Sequence, residues 1–207
     1  MALFLLGTLT NPWIWKILTT NIFIGILLLI TTYSLYQRKK YFWLLLFFLL
    51  LAQLKITPRA NLIYRDNDDQ RIVQMRLRAY PYDLTRVGHI IEERNELISI
   101  FRIRENIFQN LDINHFFFAG FPRQTVGISE FEKFPFILLP FFVAGLVSLI
   151  KERKVDSLYL GSFFIPLAIL GIIGNRSLMG PFSLFPFFVV SITAGFGFIK
   201  NLIYAKN

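Results

Sequence analysis

Asp66 and Asp68, two carboxylates spaced by two, are the first residues of this chain that can do chemistry. In the run Asp66-Asn67-Asp68 they can converge on a hard divalent cation such as Mg²⁺ or Mn²⁺ and, through it, on a phosphate. No cofactor is otherwise expected, and a divalent metal at Asp66 and Asp68 is the one candidate. The same residue types also make an N-cap and a negative first turn for a helix, which accounts for them without any metal. Arg176 stands in a short loop beside Asn175 and Ser177. Its guanidinium suits bidentate recognition of a phosphate, and it serves equally as a topogenic or headgroup-binding arginine. His89 and His115 have no neighbouring set of ligands, where zinc wants three or four converging groups. No spacing supports a Ser–His–Asp triad, and no residue is assigned a catalytic role.

The elements that must position these residues read as membrane spans. Apolar runs alternate with short charged turns, Arg38-Lys39-Lys40 after the first and Lys151-Glu152-Arg153-Lys154 after the third. Runs near ~20 apolar residues suit ~30 Å of hydrocarbon, and Lys/Arg-rich short loops face the cytoplasm. The pattern predicts an all-α, polytopic integral membrane protein with about five transmembrane helices and a mostly helical extracytoplasmic insertion. Residues 1–56 form an N-terminal hairpin of two spans, near Trp13–Tyr36 and Tyr41–Ile56, with the N-terminus outside. Residues 57–133 form the outer region, and residues 134–207 hold three further spans, near Phe134–Ile150, Leu158–Ile173 and Pro181–Ile199, ending in the cytoplasm. Lys16 is expected to snorkel to the headgroups. Pro135 suits a helix start, whereas Pro140 is expected to kink its span. No internal repeat is read. In the outer region, Leu97, Ile100, Phe101, Ile103, Ile107, Phe108 and Leu111 recur at helical spacing. They predict an amphipathic helix over 96–111, with Ile100, Phe101, Ile107 and Phe108 toward lipid or the spans and Arg102, Asn106 and Gln109 on the polar side.

Composition narrows the function classes. The 207 residues are 55% hydrophobic, include 24 Phe, and carry a formal charge of +9. Residues 55–133 hold 12 Lys/Arg against 11 Asp/Glu, so the excess positive charge lies around the apolar runs. That placement points to membrane lipid and away from nucleic acid, which needs a basic stripe on a solvated face. With no cysteine there is no disulfide and no thiolate metal site. No Asp, Glu, His or Lys lies in the middle of an apolar run, which argues against an ion or proton path through this chain alone.

Two stretches carry a resemblance. One is Arg104-Glu105-Asn106-Ile107-Phe108-Gln109-Asn110-Leu111, running through His115-Phe116-Phe117-Phe118-Ala119-Gly120 to Glu130-Phe131-Glu132-Lys133-Phe134-Pro135-Phe136. The other is Asn175-Arg176-Ser177 with Pro186-Phe187-Phe188 and Ala194-Gly195-Phe196. Together they resemble the C-terminal half of bacterial polytopic glycosyltransferases of the GT-C type, the superfamily of protein O-mannosyltransferases and aminoarabinose transferases. The resemblance covers roughly residues 40–200. It implies an amphipathic outer helix leading into an aromatic plug, a polyprenyl-phosphate sugar as partner, and sugar transfer with inversion outside the bacterial inner membrane. Arg176 would then help to neutralise the lipid phosphate. The family's catalytic carboxylate lies in the first outer loop, and the segment Met1–Pro12 here has no acid. The resemblance therefore implies a fragment or truncated homologue that is inactive alone. The alternative is a non-catalytic membrane subunit or scaffold, in which residues 57–131 dock a partner membrane chain.

Overall fold

Prolines and asparagines set several of the helix boundaries of this chain. The computed structural model describes residues 2–57, 67–92, 94–118, 131–152, 155–174 and 177–204; among them there is no β-strand. The described helices are α1 (Ala2–Leu9), α2 (Pro12–Thr20), α3 (Ile22–Tyr36), α4 (Phe42–Ile56), α5 (Asn67–Ala79), α6 (Thr85–Glu92), α7 (Asn95–Leu111), α8 (Asn114–Phe117), α9 (Leu139–Lys151), α10 (Ser157–Ile173) and α11 (Phe185–Tyr204).

The first apolar run is not one helix. Asn21 leaves helical geometry (φ −154°, ψ 103°), ending α2, and its Oδ1 accepts from Phe23 N and Ile24 N to cap α3. Thr19 and Thr20 turn their hydroxyls back onto the Trp15 and Lys16 carbonyls, the local competition with the backbone that Ser, Thr and Asn favour. The break is a corner rather than a kink. A methyl added to Gly25 would lie 3.2 Å from Leu18 Cα, whereas seven residues of continuous helix would separate them by about 10 Å.

The expected kink at Pro140 is also absent, because α9 begins at Leu139 and the proline falls in its first turn, where a missing N–H costs nothing. A 3₁₀ turn, Phe136–Leu138, precedes it and is closed by Leu138 N to Pro135 O at 2.8 Å. α11 starts in the same way, with a 3₁₀ turn at Phe182–Leu184, Leu184 N to Pro181 O at 3.0 Å, and Pro186 in the first helical turn. The structure thus exposes a repeat that was missed in the sequence. Residues 135–143 (PFILLPFFV) and 181–189 (PFSLFPFFV) agree at seven of nine positions.

The two helices of this repeat form the centre of the bundle. A methyl at Gly145 would overlap the Ser191 carbonyl, and one at Gly195 the Phe141 carbonyl. The backbones therefore touch, as small residues spaced by four permit. Phe134 stacks on Phe185, and Leu149 and Phe198 line one cavity, so α9 and α11 run parallel. α10 runs against them, with the Tyr159 hydroxyl 2.7 Å from Ser191 Oγ and the Phe163 ring on Phe187.

These directions give the bundle two ends. The basic end carries the turn Arg38–Lys40 and Lys151; the aromatic end gathers Trp13, Phe116, Phe117, Phe134 and Phe185. Phe4 packs on Tyr33 and Tyr36 with ring centroids 5.6 and 5.1 Å apart, and Leu3 lines a cavity with Arg38. α1 thus starts at the basic end, opposite to where the charge rule sets the N-terminus.

Helix α7 forms where the periodicity places it, and Ile107 turns toward the spans as expected, with Ile103 beside it. Ile103 and Ile107 pack on Gly171 of α10, and Asn106 Nδ2 donates to the Gly171 carbonyl at 3.0 Å. Ile100 and Phe108 are exposed. Asn106, expected on the polar side, is drawn inward by a carbonyl near the C-terminus of α10 that has no partner within its own helix. Beyond it, α5 and α6 are joined by Arg76 to Glu92 (3.4 Å) and by the Tyr80 hydroxyl to the same carboxylate (3.3 Å).

Candidate functional site

Lys133 is the buried cation of the aromatic end, only 4% exposed. Its Nζ donates to the His115 carbonyl at 2.8 Å and lies 5.7 Å from the Phe116 ring centroid and 5.4 Å from that of Phe131. The element that positions it is the short helix α8, whose Phe116 and Phe117 are fully buried. Phe134 N donates to the Phe116 carbonyl at 2.8 Å, which pins residues 131–134 against that helix. A second cation meets the same ring: Lys16 Nζ of α2 is 3.5 Å from the Phe131 centroid. An ammonium over a desolvated ring gains ~0.5–2 kcal/mol. Lys16 thus lies against the Phe131 ring.

The Ser177–Gly180 turn faces Lys133. Gly180 has φ +68°, and a methyl there would come within 2.9 Å of Lys133 Cε; glycine serves both the left-handed backbone and the approach of the lysine stem. Around that turn lies a polar layer. Ser177 Oγ donates to the Gly180 carbonyl at 3.0 Å, and Trp13 Nε1 donates to the Met179 carbonyl at 2.6 Å. Gln53, fully buried in α4, donates to Thr57 Oγ1 (2.8 Å) and the Gly180 carbonyl (3.3 Å) and accepts from Ser183 N (3.2 Å). Asn11 Nδ2 and Ser183 Oγ are buried without a hydrogen-bond partner among the described residues. A buried, unmade hydrogen bond costs about 1–3 kcal/mol, so this layer retains capacity for an anion. The Lys133 ammonium is fixed by rings and one carbonyl at the same end of the bundle.

The residues expected from sequence fall around this region unevenly. Arg176 and Asp66 lie outside the described residues; Ser177, which follows Arg176 in sequence, is described and lies at the aromatic end. Asp68 falls in the first turn of α5, and its side chain lies outside the described residues. Among the described residues no three His, Asp or Glu side chains come together as a metal site. His89 is exposed on α6, whereas His115 sits in the plug and offers Lys133 its backbone carbonyl. Sequence reading missed Lys133 and Gln53. Gln53 had a signal, an amide inside the apolar run Phe42–Ile56; Lys133 had none, because the groups that bury it, His115, Phe116 and Gly180, lie 17 or more residues away. The chain matches no family model, no curated protein and no solved structure.

Proposed function

We propose that this chain is a polytopic membrane protein that holds the phosphate of a polyprenyl carrier at its aromatic, outer end, as the membrane half of a GT-C-like glycosyltransferase without its catalytic base. Alone it binds the carrier and transfers no sugar. The observation that carries the reading is Lys133, buried among Phe rings against Gly180 in the loop that contains Arg176. A fixed cation beside a flexible-tailed lipid phosphate is a binding arrangement. The reading assigns it no general base, so it binds the carrier without catalysing transfer.

Membrane embedding is supported by what the helices expose. Phe23 and Ile26 on α3, Phe47 and Leu51 on α4, and Val143 and Val147 on α9 all point outward. Helices that are apolar on every side suit lipid rather than water. Among the described residues only Phe182–Tyr204 meets both the length and the apolarity needed to cross alone; Ile22–Tyr36, Phe42–Ile56, Phe136–Lys151 and Ser157–Ile173 are shorter. In this reading the short helices cross a locally thinned bilayer. The basic end faces the cytoplasm, so the start of α1 lies inside and not outside. Exposed Leu84, Val87 and Ile91 on one face of the outer region favour a second reading, a subunit that docks a partner chain there.

The test is binding of polyprenyl phosphate to the purified chain. Lys133→Gln should weaken it roughly ten- to a hundredfold, the loss of a charge-assisted contact of ~1.5–3 kcal/mol, and Arg176→Ala by a similar factor. Lys133→Arg should retain most of it. Equal affinity for wild type and both neutral variants would end the phosphate reading, and sugar transfer by the chain alone would overturn the assignment as a base-free half.

A further inference from the structure

A cavity of about 670 Å³ opens at the basic end, bounded by the start of α1, the end of α3, the end of α9, the start of α10 and the second half of α11. Leu35, Leu149 and Val190 line it with apolar surface, and Arg38, Glu152 and Asp156 supply its charge. Its size is that of a small-molecule site.

Its charges are out of keeping with their surroundings. Residues 1–54 and 134–207 contain ten Lys/Arg and two acids, and those two acids are Glu152 and Asp156. In a region so basic, both carboxylates line the same cavity. Ser148 Oγ donates to Glu152 Oε1 at 2.9 Å, which helps to orient that carboxylate. Asp156 caps α10 through Tyr159 N (2.9 Å) and pairs with Arg38 at 3.3 Å.

Arg38 itself occupies a position that its backbone disfavours. Its φ is +53°, and among the described residues it is the one non-glycine with positive φ. Lys39 N donates to the Ser34 carbonyl at 2.9 Å, closing the helix-ending motif whose left-handed residue is ordinarily glycine. An arginine there gives up roughly 1 kcal/mol of backbone energy. Its side chain reaches Asp156 at the cavity, and a surface pair of this kind returns about that much at most. The guanidinium is thereby held at the rim of the cavity.

We propose that this cavity binds the headgroup of an ethanolamine phospholipid. The ammonium lies between Glu152 and Asp156, whose acceptors match its three N–H donors. The phosphate lies on Arg38, and the first acyl carbons run along Leu35 and Leu149. A net charge of one negative from these three residues selects a lipid with an ammonium over a purely anionic one, and carboxylate acceptors select a primary ammonium over a methylated one. The inference rests on the membrane part of the reading above, not on the polyprenyl phosphate.

The full chain in nanodiscs of phosphatidylcholine doped with phosphatidylethanolamine, followed by native mass spectrometry of the lipids it retains, tests this. Retention of the ethanolamine lipid at least tenfold above its share of the bilayer is expected. Glu152→Gln with Asp156→Asn, which keeps a competent N-cap, should remove that enrichment while leaving helix content by circular dichroism unchanged. Equal retention of choline and ethanolamine lipids, or enrichment that survives the double substitution, overturns the proposal. Soluble phosphoethanolamine that binds tightly while the lipid is not enriched assigns the cavity to a free metabolite, which overturns the lipid source. A chain that fails to enter nanodiscs at all refutes the membrane reading instead.

Discussion

The two ends of this bundle are built from the same helices and solve opposite problems. At the aromatic end, Trp13 meets Phe116, Phe134 and Phe185 at ring centroids of 6.0, 5.6 and 5.5 Å, and the space between helices is filled. At the basic end the same α3, α9 and α11 part around a cavity whose charged groups are half exposed. The difference shows where stability resides. A packed end loses contacts with every atom removed, whereas an open end carries groups whose removal leaves packing intact.

Substitutions can break that contrast, the largest effect first. Trp13→Ala should cost about 3–5 kcal/mol, the range for large aromatics deleted from a core; a loss below 1 kcal/mol in detergent unfolding would mean that the aromatic end is not the packed one. Gly195→Val should cost about 3 kcal/mol, at the upper end of overpacking, because the Phe141 carbonyl that it strikes cannot rotate away. Chemical unfolding of the variant would show the loss, and a normal midpoint would contradict the close crossing. Gln53→Leu should cost about 1–3 kcal/mol by stranding Ser183 N, which thermal unfolding can read. The smallest effect has the opposite sign. Arg38→Gly should raise stability by up to about 1 kcal/mol, while lowering enrichment of the ethanolamine lipid. A destabilised Arg38→Gly protein would show that the arginine is retained for folding.

Legibility in the sequence followed a similar division. Apolar runs announce α4 and α10 to within a residue or two, since hydropathy and flanking charge act locally. The corner at Asn21 was hidden by a run of apolar residues on either side, although Thr-Thr-Asn carries the hydroxyls and amide that make it. Pro140 was misjudged as interior because a helix start cannot be located until the preceding 3₁₀ turn is known. The repeat over 135–143 and 181–189 was present in the letters and overlooked. Of the candidate sites, Arg176 could be singled out from residue type. The meeting of Lys133 with Gly180 and of Asp156 with Arg38 depends on contacts across tens of residues, which no local pattern encodes.

The notch at Gly145 and Gly195 also bears on how the two ends communicate. Two helices whose backbones touch cannot slide past each other in small steps. A shift of α11 by one turn, about 5.4 Å, would bring Phe187 or Ile199 to the place now held by Ser191 or Gly195, where no side chain of that size fits. The pair α9–α11 therefore moves as one strut. Any motion passed from one end of the bundle to the other must travel by tilting of the strut or through α10 and the α2–α3 corner, not by shear at the centre.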